Sequence, residues 1–273
     1  MYYLLTESFK SQEEKLVAMI QQAVPVEKIY MLGSTLEQER TESIFLTTAP
    51  SCRKVGNYWL LVLVDNHCGH SHNYIQDKIE NGCRHFIPVT VIVLHTVQFN
   101  SWLTEGHHFA CTVQQRAVLL HDNNNIPLVI PGTINKKATA TYYTQGINKV
   151  NEFIVGAALY QVRLQYTMAA FMLHQATEHA LHTIFKNATG LHINTHNIDK
   201  LLRYCTMVNY KISSIFPRNK ANNEKLFQLL QKAYIDTRYK EDFTIKNEEL
   251  NAIMEGVKRL QGIMVERDFE EEI

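Results

Sequence analysis

The sequence predicts an α/β domain followed by an all-α domain, and three observations carry that reading. Hydrophobic periodicity changes character near residue 140: short apolar runs alternate with amphipathic stretches before it, and every long segment after it repeats at the helical period. A stretch of breakers, Asn123 to Asn125, Pro127 and Pro131-Gly132, separates the two patterns. The 273 residues are also enough for two ordinary domains, each with a core of its own.

In the first part, a helix with one polar face is expected from Glu7 to Ala23 and a strand from Lys28 to Leu32. A strongly apolar strand follows at Tyr58 to Val64, then a helix at Ser71 to Arg84 and a third strand at Val89 to Leu94. These short runs, rich in Val and Leu, read as strands buried on both faces, with the helices supplying the cover. A helix near Val97 to Leu103, a loop at Gly106-His107-His108-Phe109 and a short strand at Ala117 to Leu120 close the domain. The boundaries that result are an α/β domain over 1–122, a linker over 123–143 and a helical bundle over 144–267.

Five helices are expected in the second part, at Gly146 to Gln165, Met168 to Asn187, Asn197 to Val208, Asn223 to Tyr239 and Glu248 to Glu266. Gly190 is placed to end the second as a C-terminal cap, and Thr195 or Asn197 to cap the third. Glu248 and Glu249 sit in the first turn of the last, where they favour the positive end of the helix dipole. The short connections imply antiparallel packing. The acidic tail, Asp268 to Glu272, reads as solvated.

Composition narrows the function classes. Lys plus Arg and Asp plus Glu both number 27, so the whole-chain field gives no long-range pull on polyanions and disfavours tight nonspecific nucleic-acid binding. No apolar run reaches membrane-spanning length, and the start, Met1-Tyr2-Tyr3-Leu4-Leu5-Thr6-Glu7, lacks the basic and apolar regions of a signal peptide. A cytoplasmic protein with no membrane contact is expected. The five cysteines, Cys52, Cys68, Cys83, Cys111 and Cys205, are odd in number and contain no CxxC, which suits free thiols. The segment Asp65-Asn66-His67-Cys68-Gly69-His70-Ser71-His72 carries zinc-type ligands at a spacing that matches no standard zinc motif, so neither a metal nor a cofactor is expected.

His174, Glu178 and His182 recur one helical turn apart and share a line, with Gln175 beside it; Leu173, Ala176, Thr177, Ala180, Leu181 and Ile184 form the buried side. A row of donors and acceptors on a core-facing helix needs partners, and Arg238, at the end of the fourth helix, is the expected partner of Glu178. The row is either a buried structural network or one wall of a ligand cleft.

The stretch Ala169-Ala170-Phe171-Met172-Leu173-His174-Gln175-Ala176-Thr177-Glu178-His179-Ala180-Leu181, continuing to Phe185, resembles the second helix of HEPN domains. Thr195-His196 with Ile198 and Leu201-Leu202, then Ala233-Tyr234-Ile235-Asp236-Thr237-Arg238-Tyr239, match the same family in order, over about Gly146 to Leu260. The resemblance implies a helical bundle that commonly forms homodimers and acts as a ribonuclease or as a noncatalytic nucleotide- or RNA-binding module. The family's nucleases follow an Arg with a His about a turn later, because cleavage by the ribose hydroxyl needs a general base and a cation for the developing phosphorane charge. Here Arg238 precedes Tyr239-Lys240-Glu241-Asp242-Phe243, and no histidine follows His196.

Ile29-Tyr30-Met31-Leu32-Gly33-Ser34 resembles the strand and Gly-Ser turn that opens nucleotidyltransferase domains, which often precede HEPN bundles. Active members hold two magnesium ions with an Asp-x-Asp pair on the next strand and a third acid on a later one. Aligning Leu60 to Val64 with that strand puts Asn57 and Trp59 at the paired positions and Thr90 at the third, so the resemblance implies a degenerate domain that has lost its metal chemistry. Asp65, Asp77 and Glu80 are the nearby acids, and a solvated helix face accounts for the last two.

The expected protein is therefore a noncatalytic homodimer that binds a nucleotide or RNA element, with Gln175, Glu178, Arg238, His174, His182, Gly33 and Ser34 as ligand-binding residues and no catalytic residue. The family resemblance implies a toxin–antitoxin or defence setting. The alternatives are metal-dependent nucleotidyl transfer or RNA cleavage by atypical residues, and a pure interaction module.

Overall fold

A computed structural model describes residues 7–40, 51–66, 69–134 and 140–270. The chain forms two compact units, Met1–Lys136 and Lys137–Ile273.

The first unit runs α1 (Glu7–Ala23), β1 (Lys28–Arg40), β2 (Ser51–Val64), α2 (His72–Cys83), β3 (Val89–His95), α3 (Thr96–Thr104), α4 (His108–Arg116) and β4 (Val118–Asp122). Its four strands form a mixed sheet in the order β3-β2-β1-β4, with β2 and β3 parallel and β1 antiparallel to both its neighbours. All seven residues from Tyr58 to Val64 are buried because the sheet is covered twice. Tyr58, Leu60, Val62 and Val64 share one core with Leu16 and Ile20 of α1 and Ile75 and Ile79 of α2. Leu61 and Leu63 alternate to the other face, where Phe99 of α3 meets Tyr30 of β1.

Three expectations about this unit are corrected. Gly33 and Ser34 do not form a turn: β1 runs on to Arg40, a bulge falls between Met31 and Gly33, and the outer arms pair from Leu36↔Val55 to Arg40↔Ser51. The expected loop at Gly106 to Phe109 is only a tight turn. Gly106, with φ 69°, ends one helix and His107 starts the next, its Nδ1 accepting from the Phe109 amide at 3.3 Å. Finally, much of the expected linker is fastened to the sheet domain. The Asn123 and Gly132 amides donate to Glu27 and Leu103 carbonyls at 3.0 and 2.8 Å, and the Val129 amide donates to Asn100 Oδ1 at 3.1 Å.

The second unit contains α5 (Ala140–Val162), α6 (Tyr166–Thr189), α7 (Ile198–Val208), a 3-10 turn (Tyr210–Ser214), α8 (Ala221–Tyr239) and α9 (Asn247–Glu270). α6 packs against the other four helices. Alanines 169, 170, 176 and 180 let neighbours approach it from several sides, and 13 of its residues are buried. Gly190, at φ 77°, closes α6 in the left-handed cap the sequence called for, and Asn197 caps α7 by accepting from the Lys200 amide at 3.0 Å. Antiparallel packing is visible in the pairings. Tyr143 near the start of α5 donates to the Met264 carbonyl near the end of α9, and Gln161 at the other end of α5 reaches Asn247 and Asn251.

Candidate functional site

In the second unit, the face of α6 that carries Glu178 and His182 opens onto a cavity of about 390 Å³. Its opposite wall is the first half of α5, with Tyr142, Gln145, Gly146 and Lys149, and its rim is the segment between α6 and α7, from His192 to His196. The close approach of the two helices depends on Gly146. A Cβ there would stand 2.5 Å from Thr183 Oγ1.

At the base of the cavity Glu178, 6% exposed, faces three imidazoles. His196 Nδ1 lies 3.0 Å from its Oε1, His182 Nε2 3.9 Å from the same oxygen, and the fully buried His174 has Nε2 3.4 Å from Oε2. The last pair is a close polar approach that lacks ideal hydrogen-bond alignment. Burial pushes the Glu178 carboxyl upward, but His174 and His196 outweigh it and hold it below its ordinary value of 4.5. Burial drives His182 below the ordinary imidazole value, and it does the same to His179 with help from Lys149. Two further contacts tie the imidazoles to the scaffold: His174 Nδ1 donates to the Leu230 carbonyl at 3.0 Å and His182 Nε2 to that of Thr195 at 3.2 Å.

The site residues expected from the sequence divide as follows. Glu178 and His182 line the cavity, and His174 supports Glu178 from behind. Arg238 is not the partner of Glu178. Its Nε donates to the Tyr234 carbonyl in its own helix at 2.8 Å, and its guanidinium lies 4.1 Å from the Tyr234 ring centroid. A carboxylate already held by imidazoles one turn away on either side has no need of a distant guanidinium. Tyr234 also carries His196 and His174 against its ring, at 4.6 and 5.1 Å between centroids. Gln175 has a buried Nε2 without a hydrogen-bond partner and does not line the cavity. Lys149, His179 and His192 were missed. His192 and His196 flank a four-residue spacing in a loop, and only the fold reveals that this loop returns over α6.

In the first unit Gly33 and Ser34 lie beside the three positions aligned with metal-binding acids. Gly33 pairs with Trp59, Trp59 with Thr90, and Thr90 Oγ1 donates to Asn57 Oδ1 at 3.3 Å. These positions supply an indole, a hydroxyl and an amide. Glu80 is not a solvated acid: its Oε1 accepts from the Val91 amide at 3.1 Å, and Gln76 donates to the Val91 carbonyl at 3.0 Å, so α2 satisfies the backbone of the edge strand β3. His67 and Cys68 lie outside the described residues. Among the described residues no group of three His, Cys, Asp or Glu is placed to hold a metal ion, and no helix is long and apolar enough to cross a membrane.

Residues 157–267 match the HEPN domain family. The segment is a HEPN domain, from a family that includes both ribonucleases and noncatalytic members. The match takes in the second half of α5 and all the other helices of the unit, so Glu178 and its three imidazoles fall inside the HEPN domain, whereas Tyr142 to Lys149 precede the matched residues. No curated protein matches the chain.

Proposed function

We propose that this is a noncatalytic binding protein whose HEPN domain takes a nucleotide or a short stretch of RNA in the cavity between α5 and α6. The observation that carries the reading is the cavity itself, a space of about 390 Å³ whose wall combines a lysine, four imidazoles and a tyrosine over one buried carboxylate. That volume falls within the usual range of small-ligand sites, roughly 300 to 1,000 Å³. Lys149 offers a charge to phosphate, and the stacked His182 and His192 rings, 5.4 Å apart, offer a flat surface to a base. Arg238 lies over the ring of Tyr234, which also stacks on His196 at the cavity rim.

The α/β unit fits a degenerate nucleotidyltransferase-like domain, because the amide, indole and hydroxyl that converge beside Gly33 cannot hold two magnesium ions. A toxin–antitoxin or defence setting follows from family analogy. The second copy expected of a HEPN bundle fits the outer face of α5, where Val155, Leu159 and Val162 are 64, 58 and 81% exposed.

Titrating the full chain with the uridine dinucleotide UpU, and recovering the dinucleotide afterwards, tests the reading. Saturable binding, at least about tenfold weaker in Lys149→Ala, with the dinucleotide returned intact, is the expected result. Failure to bind UpU and the common nucleotides removes the reading, and cleavage of UpU removes its noncatalytic part.

A further inference from the structure

The hydrogen bonds inside the cavity decide how an anion can be held there. Phosphate oxygens only accept, so each group that binds them must bring an N–H or O–H. His182 Nε2 faces the Thr195 carbonyl at 3.2 Å, and His196 Nδ1 faces the ionised Glu178 carboxylate at 3.0 Å. Both partners are pure acceptors, so the facing nitrogen of each ring must carry its proton. The one N–H of a neutral imidazole is thereby spent on the protein. What remains for a ligand on His182 is Nδ1, a lone pair that repels phosphate until it is protonated.

Resting on the reading above, we propose that the cavity binds the phosphate group of its ligand together with a proton taken from solvent onto His182. Phosphate affinity is thereby tied to pH.

The surrounding charges set the balance. On α6, Glu178 favours a proton on His182, whereas His196 in the following loop opposes it; on α5, Lys149 attracts the phosphate and helps hold the neighbouring His179 below its ordinary value. His192 stacks on His182 and works against its protonation, Tyr234 of α8 lies against His196, and Lys186 covers the Tyr142 ring at 4.2 Å. In the empty protein, burial keeps His182 neutral near neutrality. An arriving phosphate supplies the negative charge that offsets this cost, and the proton enters with it.

The experiment is calorimetric titration of the full chain with UpU, between about pH 8 and about pH 5.5, in buffers of different ionisation enthalpy. UpU carries a single phosphodiester that stays a monoanion throughout this range, so any proton taken up belongs to the protein. Net uptake of about one proton per bound dinucleotide, and a Kd that falls about tenfold per pH unit where uptake is complete, are expected. His182→Gln should reduce the uptake while binding persists, because its side-chain amide can offer an N–H without titrating. Binding that is independent of pH and buffer overturns the proposal and leaves the binding function standing. An absence of binding at every pH overturns the function itself and this inference with it.

Discussion

Glu178 shows how a buried carboxylate stays ionised without an arginine. Three imidazoles reach it from two sides of its own turn and from the following loop, and two of them, His174 and His196, outweigh the burial that opposes its charge. The sequence displayed His174 and His182 because helical spacing forces them into line with Glu178. It hid His196, whose place depends on the path of a loop. The same residues predict how stability varies with pH. Burial lowers His182 and His179 below their ordinary 6.5, so the unfolded chain binds protons that the folded domain refuses. Their contribution is present above about pH 6.5 and is lost as pH falls through their folded values. Glu178, also lowered, adds a loss of the same sign below its ordinary 4.5. The urea midpoint of the free protein should therefore drop between about pH 7.5 and pH 5.5, and His182→Gln should flatten that slope. A midpoint that rises on acidification would contradict the assignment. Bound UpU should reverse the trend, because the liganded site is expected to gain the proton that the free site resists.

At the scale of elements, strands and long helices were legible because burial imposes a period on them. Tyr58 to Val64 is an unbroken apolar run because both faces of β2 are covered, and α6 was recognisable by its alanines and its Gly190 stop. The outer arms of β1 and β2 were not legible. Leu36-Glu37 and Lys54-Val55 mix charged with apolar residues, and their pairing is set by cross-strand partners such as Lys54 with Glu37, 3.4 Å apart. The short helix α4 was concealed for a related reason: its nine residues are capped by a histidine side chain, which is not a usual helix-start signal. Glycines give the sharpest test of helix packing. Gly146→Ala drives a methyl group against Thr183, 4% exposed and β-branched, and should lower stability by about 1–3 kcal/mol. Gly262→Ala, in α9, meets nothing within 4 Å and should raise stability by about 0.5–1 kcal/mol. Thermal unfolding followed by helical circular dichroism separates the two. Equal effects would mean that the approach of α5 to α6 is not as close as described.

For the whole molecule, the clearest unassigned surface is the outer stripe of α5. Glu152 and Arg163, both exposed, lie at opposite ends of the apolar residues Val155, Leu159 and Val162. An antiparallel pairing about a two-fold axis near Ala157 and Ala158 sets Glu152 of each copy opposite Arg163 of the other and interleaves the apolar side chains. Light scattering of the eluting protein should give a dimer mass, and Leu159→Asp a monomer. Arg163→Glu should weaken the dimer and Glu152→Arg in the same chain restore it. A wild-type protein that stays monomeric at about 100 µM would contradict the pairing.

The claim on which the functional account turns is that the ligand sits among the imidazoles of the HEPN domain. Ring resonances of the histidines, followed by nitrogen-15 NMR while UpU is added, test it most directly. The account predicts that the His182 ring moves toward the protonated form and that the His196 ring shifts with it, both saturating with the ligand, while His85 and His121 in the α/β unit stay still. Binding that moves only the α/β histidines, or none, would contradict it.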